Sequence, residues 1–379
     1  MQRNESIENR VKKKEHKSKR KRQKKSKDKE EKERMKEQKN EYRVTIKDIA
    51  EELGLSTATV SNVIHGKTKK ISQQTITKVQ EKIEEMGYLP NMAAVLLAQN
   101  TSKIVCIVLS NDVKYENKMI EDPFVSGMLN YLSKELTKND YFVMLREEPD
   151  IAQIARYASM WNMAGLVLIG FCATDYENLR NNMHIPFVVV DSYQKDVHRY
   201  SDVGVDNIEG GYVAGSYLIK MGHEKIMFLS DNDEDCDHDR YVGLTKALAE
   251  VNLPYEKTDF KMLSPFKEER EKIYEKLYAE MGEYTAAFAA SDMYAMEFMN
   301  FLQGKGMKIP EDFSVIGFDD IPLAALVYPP LTTVSQNLEL RAKVAVELLV
   351  ELMNGESDGR QELLPVTLVE RGSVSEKRM

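Results

Sequence analysis

The sequence predicts an α/β protein in which an N-terminal all-α helix-turn-helix headpiece precedes two doubly wound parallel-sheet subdomains. Three observations carry that expectation. Between Val44 and about Gln99, apolar residues recur at spacings of three and four in short blocks, each opened by a hydroxyl residue. Beyond Lys103, short apolar runs alternate with longer amphipathic stretches, the pattern of strands buried on both faces and separated by helices. The alternating region holds about 270 residues, more than one such core usually accommodates, so it divides into two.

In the headpiece, Thr45-Ile46-Lys47-Asp48 forms an [ST]-x-x-[DE] capping box that opens a helix with Ile46, Ile49, Ala50 and Leu53 on one face. Gly54 stops it, since glycine takes the left-handed conformation after a helix at little steric cost. Ser56 caps a second helix, about 57–65, carrying Val60, Val63 and Ile64 and ending at Gly66. Ser72 caps a third, with Ile76, Val79, Ile83 and Met86 as its stripe and Gly87 as its stop. Two short helices joined by a tight Gly-Leu-Ser turn, then a third, make a helix-turn-helix.

The α/β region gives strands at 104–109, 141–145, 166–169, 187–190, 226–229, 286–289 and 314–316. Helices are expected at 124–138, 207–221, 239–252, 267–281, 292–303 and 338–353. In open parallel sheets ligands bind outside the carboxyl ends of the strands, and four polar groups fall at such ends. Asp191 follows 187–190, Arg240 lies beyond 226–229, Ser291-Asp292 follows 286–289 and Asp319 comes after 314–316. Carboxylates accept hydrogen bonds from hydroxyls and a guanidinium donates a planar fork, so the set suits a polyhydroxylated ligand such as a sugar. Ser291-Asp292 has a second reading, as the cap of the following helix. Tyr241 and Phe171 have the shape to stack on a sugar face, and equally that of core residues.

Charge is unevenly divided. The chain of 379 residues carries 53 Lys+Arg and 61 Asp+Glu, a net charge of −8. Residues 1–42 alone hold 18 Lys/Arg against 9 Asp/Glu, a balance of +9 that leaves −17 for the remainder. This basic extension lacks any apolar stripe and is expected to be disordered; it is either a nucleic-acid arm, a solvated tail, or sequence upstream of an alternative start at Met35. Asp231–Asp239 packs six carboxylates, Cys236 and His238 into nine residues, but lacks a second Cys/His pair and the glycine and final glutamate of a calcium loop. A solvated loop at the cleft rim is expected there, with no metal and no cofactor.

No apolar run approaches the roughly 18 residues of a membrane span, and no apolar signal-peptide core follows the first charges. Cys106, Cys172 and Cys236 lack the spacing of a disulfide framework or zinc ribbon, which suits a reducing cytoplasm. There is no Gly-rich phosphate loop, no G-x-S-x-G elbow and no paired His ligands, so an enzyme is not expected.

Val44–Leu97 resembles the DNA-binding region of the lactose-repressor/galactose-repressor (LacI/GalR) family of bacterial transcription regulators. The residues are Val44-Thr45-Ile46-Lys47-Asp48-Ile49-Ala50, Gly54-Leu55-Ser56-Thr57-Ala58-Thr59-Val60-Ser61 and Met86-Gly87-Tyr88-Leu89-Pro90-Asn91. The remainder is similar to the family's effector domain through Asp191, Arg240-Tyr241-Val242-Gly243, Ser291-Asp292, Gly317-Phe318-Asp319-Asp320 and Pro329-Pro330-Leu331-Thr332-Thr333, so the resemblance spans about 44–371.

It implies a periplasmic-binding-protein-like type I fold and this division: a basic extension, 1–42; the helix-turn-helix domain, 43–90; a hinge helix and linker, 91–102; and an effector-binding and dimerisation domain, 103–371. Within the last, one subdomain takes 103–203 and 335–362, the other 204–334 and 363–371, and 372–379 is a tail. The resemblance places Thr57, Ala58 and Asn62 against bases and makes Thr45, Thr59 and Ser61 phosphate donors, although helix capping also accounts for Thr45 and Ser56. Asn62 stands where the family often has an arginine, in place of the usual guanine contact. Leu97 matches the leucine that wedges the minor groove, while Val95 and Leu96 depart from the Arg-Ser that commonly precede it. The other reading of Met92–Leu97 is an apolar patch buried between domains.

Asp191, Arg240 and Asp319 occupy effector-contact positions by resemblance, with Asp292 as a fourth candidate. The implied protein is a homodimeric repressor of carbohydrate-utilisation genes that binds a pseudo-palindromic operator in double-stranded DNA and responds to a sugar or sugar derivative. The alternative is a cytoplasmic sugar-binding protein with only non-specific DNA binding through the basic arm.

Overall fold

A computed structural model of the chain describes residues 44–89, 102–110, 118–171, 179, 185–191, 200–256 and 259–377. The chain falls into two compact units, the first ending at Ala98 and the second beginning at Gln99. The expected basic extension 1–42 and nearly all of the hinge segment 91–102, Leu97 included, lie outside the described residues.

In the first unit, α1 (Ile46–Leu53), α2 (Thr57–Ile64) and α3 (Gln73–Glu85) form the headpiece. Thr45 and Asp48 make the reciprocal capping box, and Gly54 takes φ +63° to turn the chain into α2. Ser56 and Ser72 each accept a backbone N–H at their helix starts. Ile49, Ala50, Val60, Val63, Val79 and Tyr88 close a small core, so each helix buries the stripe its spacing predicts.

The second unit holds two six-stranded sheets. The first, in order β11-β5-β4-β3-β1-β2, is parallel throughout: β1 (Ile104–Leu109), β2 (Phe142–Glu147), β3 (Gly165–Ile169), β4 (Phe187–Val190), β5 (Ser201–Val205) and β11 (Gln361–Leu364). α4 (Pro123–Lys138) and α10 (Leu338–Asn354) share a core with β1, β3, β4 and β5, while α5 (Ile151–Met160) packs with a second cluster built on Cys106, Leu166 and Phe187. The second sheet, in order β12-β10-β9-β8-β6-β7, contains β6 (Ile226–Ser230), β7 (Phe260–Met262), β8 (Ala286–Ala289), β9 (Ser314–Asp319), β10 (Thr332–Ser335) and β12 (Thr367–Val369). Its two cores take up α6 (Asn207–Lys220) and α7 (Asp235–Glu250) on one side, and α8 (Lys267–Ala279) and α9 (Asp292–Gly304) on the other.

Several expectations need correction. The run at 141–145 forms β2, but as an edge strand paired only with β1, and Phe142 and Leu145 remain 56% and 44% exposed. β12 runs antiparallel to β10, so the second sheet is mixed at its edge. β5, β7, β10, β11 and β12 were not expected, because none has a long apolar run, and neither was α5, whose stripe of Ile151, Ile154 and Ala158 is short. β5 hides Ser201 and Asp202 by bonding them to the incoming β11 segment: Arg360 N–H donates to Ser201 Oγ and Gln361 Nε2 to Asp202 Oδ2. The strands also run one or two residues past the expected points of change between sheets, β5 to Val205, β10 to Ser335 and β11 to Leu364.

Residues 372–377 are not a tail. Ser373 Oγ donates to Val315 O at 2.6 Å, Thr332 N donates to Ser373 Oγ at 2.8 Å, and Lys377 N donates to Met221 O. His223 fastens the same segment, its Nδ1 2.9 Å from Thr285 Oγ1 and its Nε2 3.0 Å from Ser375 O. Ser373 and Val374 are buried as a result.

Burial depresses the imidazole pKa of His223 below its ordinary 6.5. A depressed histidine stabilises the fold as the neutral ring, fully above the unfolded pKa, and that contribution is lost as pH falls through the folded value. The unfolding midpoint of the wild type is therefore expected to fall more steeply than that of His223→Gln as pH is lowered from about 6.5 to 5. Parallel pH profiles of the two proteins in thermal denaturation would contradict this assignment.

Candidate functional site

The headpiece presents one polar face. Thr57, Ala58 and Asn62 are exposed on α2, opposite the buried Val60 and Val63. Such a face on the second helix of a helix-turn-helix is the one that a major groove admits. Of the candidate phosphate donors, Thr45 spends its hydroxyl on Asp48 at 2.8 Å, and Thr59 shares one with Ser56, also at 2.8 Å. Ser61 lies half-buried on α2. Thus Thr45, Ser56 and Thr59 act as capping groups in the fold, and their amides and hydroxyls hold the start of each helix in place.

The second site lies where the strands of both sheets end. Asp191 directly follows β4 in the left-handed conformation, φ +64°, and Asp319 ends β9 with φ +122°. Glycine is the residue that adopts such values freely, so both carboxylates sit on strained backbone next to a strand end. Arg240 comes from α7, which lies against α6 with backbone touching backbone. A Cβ on Gly211 would fall 1.9 Å from Arg240 O, and one on Gly243 would fall 2.1 Å from Ile208 O. These two glycines let the helices close up and bring Asn207 under Arg240, whose Nε donates to Asn207 Oδ1 at 2.9 Å. Arg240 Nη1 donates to Ala290 O at 2.6 Å and to Asp237 Oδ1 at 3.3 Å, and the guanidinium lies 3.8 Å from the centre of the Phe318 ring. The cation is thereby aimed by Asn207, Asp237, Ala290 and Phe318 together.

Asp319 is buried and accepts a 2.6 Å hydrogen bond from Gln336 Nε2. Burial holds its carboxyl well above the ordinary range; Arg240 opposes that shift, while Asp292 and Asp122 reinforce it. Asp122 itself caps α4, accepting from Phe124 N at 2.9 Å and Val125 N at 3.0 Å.

Arg341, wholly buried, forms an ion pair with Asp191 and donates to Gln336 Oε1 at 2.6 Å and Val203 O at 3.2 Å. A continuous polar chain, Asp191–Arg341–Gln336–Asp319, therefore runs from one sheet to the other.

Asp292 does not sit with that group as an open contact. It is fully buried, with Oδ2 accepting from Ile321 N at 2.9 Å and Oδ1 from Thr333 Oγ1 at 2.5 Å. Gly317 makes room for it, since a Cβ there would lie 2.3 Å from Asp292 Oδ1. The helix cap is Ser291, and Asp292 pins the turn after β9 to β10. The aromatic candidates are core residues: Phe171 is buried in the cluster of Leu166 and Phe187, and Tyr241 packs on Phe228, Tyr255 and Phe260. Phe318, itself buried in the core, lies beneath Arg240.

The acidic segment expected as a loop is half helix, because α7 begins at Asp235. Carboxylates are favoured in the first turn of a helix, where backbone N–H groups point at them. Asp237 accepts from Ser230 Oγ at 2.7 Å and pairs with Arg240, so this stretch supports the site instead of merely rimming it.

Sequence reasoning missed Arg341, Gln336 and Asn207. The signal for Arg341 was present: it occupies the apolar stripe of α10 with Leu338, Ala342 and Ala345, where a lone charge demands a buried partner.

Comparison with known proteins bears on both sites. Residues 45–91 match the family of bacterial regulatory proteins, lacI family, and residues 216–374 match the periplasmic binding protein-like domain. The chain is 32% identical over 322 residues to the HTH-type transcriptional repressor PurR of Aliivibrio salmonicida, covering 81% of this chain and 91% of that protein. It is 29% identical over 343 residues to the HTH-type transcriptional regulator MalR of Clostridium butyricum, covering 87% and 99%. Among solved structures, the transcriptional regulator CelR–cellobiose complex superposes with a TM-score of 0.65 at 25% identity, covering 87% of this chain and all of that one. The Lac repressor dimer bound to operator and the anti-inducer ONPF gives a TM-score of 0.76 at 22% identity, covering 88% and 99%, a likeness of fold.

Thr333→Val removes the hydroxyl that bonds Asp292 and leaves a buried acceptor unmet, which costs about 1–3 kcal/mol. Urea unfolding of the variant is expected to show a loss of that size; an unchanged midpoint would mean that Asp292 is not held by this bond.

Proposed function

The chain belongs to the LacI family of bacterial regulatory proteins, and on that premise we propose that it is a homodimeric, sequence-specific DNA-binding repressor whose operator affinity is set by a small polar, sugar-like effector. The observation that carries the effector half is the convergence of Asp191, Arg240 and Asp319 at the strand ends of both sheets, beside Phe318. Hydroxyls of a sugar would donate to the carboxylates, and the guanidinium would donate to a ring or hydroxyl oxygen. The cellobiose complex of the structural neighbour CelR supports a small ligand, and the carbohydrate class rests on that and on the donor set. Asp292 supports this site from behind and is not itself a contact.

For DNA, the exposed Thr57, Ala58 and Asn62 read bases. The amide of Asn62 is of the kind that pairs bidentately with adenine, while Thr45, Thr59 and Ser61 would meet phosphates and position without specifying. One recognition helix makes too few contacts alone, so a second copy reading the other half of a pseudo-palindrome supplies the rest. Leu97 would wedge the minor groove between the half-sites, and the protein would act in the cytoplasm, where its DNA is. Residues 1–42, with a balance of +9, add a sequence-independent attraction to phosphate.

Retention of fragmented genomic DNA by the purified protein tests the reading. A few palindromic fragments are expected, with Asn62→Ala losing about 1–3 kcal/mol of discrimination at one base position per half-site. Deleting 1–42 should weaken binding equally on every fragment and flatten the salt dependence of log K. Retention without sequence preference, abolished by the deletion, would favour instead a sugar-binding protein that touches DNA only through its arm. Asp319→Ala and Arg240→Ala are each expected to remove the response of operator binding to effector, measured by fluorescence anisotropy; an intact response in both would sink the cleft as the effector site.

A further inference from the structure

Asp191 and Asp319 stand on different sheets, yet they are joined through two neutral or cationic side chains and no carboxylate-to-carboxylate contact. Arg341 is the centre of the chain. It comes from the buried face of α10, is 0% exposed, and divides its guanidinium between Asp191 on the first lobe and Gln336 on the segment that crosses between lobes. Gln336 accepts from Arg341 with Oε1 and donates to Asp319 with Nε2, each at 2.6 Å, so its amide orientation is fixed by a cation on one side and a carboxylate on the other. A guanidinium in an apolar helix face is costly, the more so here because its buried Nε finds no hydrogen-bond partner among the described residues. An aliphatic residue would fill that face of α10 at no such cost, and packing alone does not explain an arginine there.

The bridge also leaves something over. Asp319 gives Oδ1 to Gln336 and Asp191 gives Oδ1 to Arg341, so in each carboxylate the bridge uses one oxygen and not the other. Each lobe therefore keeps one carboxylate oxygen whose direction is set by Arg341 or by Gln336.

We propose that Arg341, acting through Gln336, is a positioning residue that locks the two lobes together across the crossover and aims one free acceptor oxygen from each lobe into the cleft. A ligand donor bonded to the second oxygen of Asp191 draws charge from the carboxylate that Arg341 holds, loosens the grip on Gln336 and is felt at Asp319 on the other lobe. The link to effector binding rests on the reading of Asp191 and Asp319 as ligand contacts. The bridge itself does not, and it is tested without any ligand.

The test measures the distance between the lobes in the full-length protein by electron paramagnetic resonance, with spin labels introduced through Lys138→Cys on α4 and Lys276→Cys on α8. Both side chains are well exposed, at 67% and 72%. Cys172→Ser and Cys236→Ser remove competing thiols, and dilution with unlabelled chain isolates distances within one chain. The unmodified bridge should give one narrow distribution. Gln336→Leu, which cuts Asp319 from Arg341 but leaves the Asp191 pair in place, and Arg341→Met should both give a broader distribution with its mean displaced by about 2 Å or more. Arg341→Lys keeps the charge but has no fork with which to hold two partners, and should behave as Arg341→Met does. The parental distribution in folded Gln336→Leu would overturn the bridge, and the parental distribution in Arg341→Lys would reduce Arg341 to charge compensation for Asp191. Should Arg341→Met fail to fold by circular dichroism, Gln336→Leu decides alone.

Discussion

Asp319 is a carboxylate held away from water at the end of a strand, and the second unit is organised around tolerating it. Its backbone is strained, its pKa is driven up by burial, and its bonded partner among the described residues is the neutral amide of Gln336. A buried charge of this kind is costly unless other groups are arranged about it. Here Arg240 supplies the opposing charge from α7, held in place by Asn207, Asp237 and the Phe318 ring. The glycine contacts between α6 and α7 exist so that this arginine can reach, and Gly317 exists so that Asp292 can brace the turn that follows. The strand ends thus carry stored electrostatic work, which a hydrogen-bonding ligand would relieve.

The headpiece was legible because its determinants are local. Caps, glycine stops and apolar spacing of three and four act within one turn of helix, and Thr45, Ser56, Ser72, Gly54 and Gly87 all take the roles that local chemistry gives them. The central strands were equally legible, since β1, β3, β4, β6 and β8 are apolar on both faces and announce themselves as runs. What escaped was whatever is stabilised from a distance. β5 is buried through bonds to Arg360 and Gln361, more than 150 residues away in the chain, and β10 holds Thr332 and Thr333 in the core by bonding them to Ser373 and Asp292. No window of sequence around these segments contains their partners.

The candidate site divides in the same way. Asp191, Arg240 and Asp319 were visible as polar residues at strand ends, a rule of topology that needs no partner to apply. Asp292 satisfied the same rule but faces inward, because the turn after β9 folds back and takes both of its oxygens. Arg341 was hidden by its helix: a stripe of seven buried residues reads as core, and the charge within it gains meaning only once Asp191 is seen across from it. In the headpiece, by contrast, the polar face of α2 is defined by subtraction, as what remains when Val60 and Val63 are buried. The division of charge along the chain, basic in 1–42 and acidic beyond, was legible from composition alone.

In the proposed function, a small polar metabolite governs the operator by binding at the shared strand ends. The most direct measurement is a crystal structure of the protein with the metabolite that alters its operator binding. Ligand density is expected between the lobes, with hydrogen bonds to Asp191 and Asp319 and a guanidinium contact from Arg240. A ligand bound elsewhere on the chain, or one at the strand ends that touches none of these three residues, would contradict it.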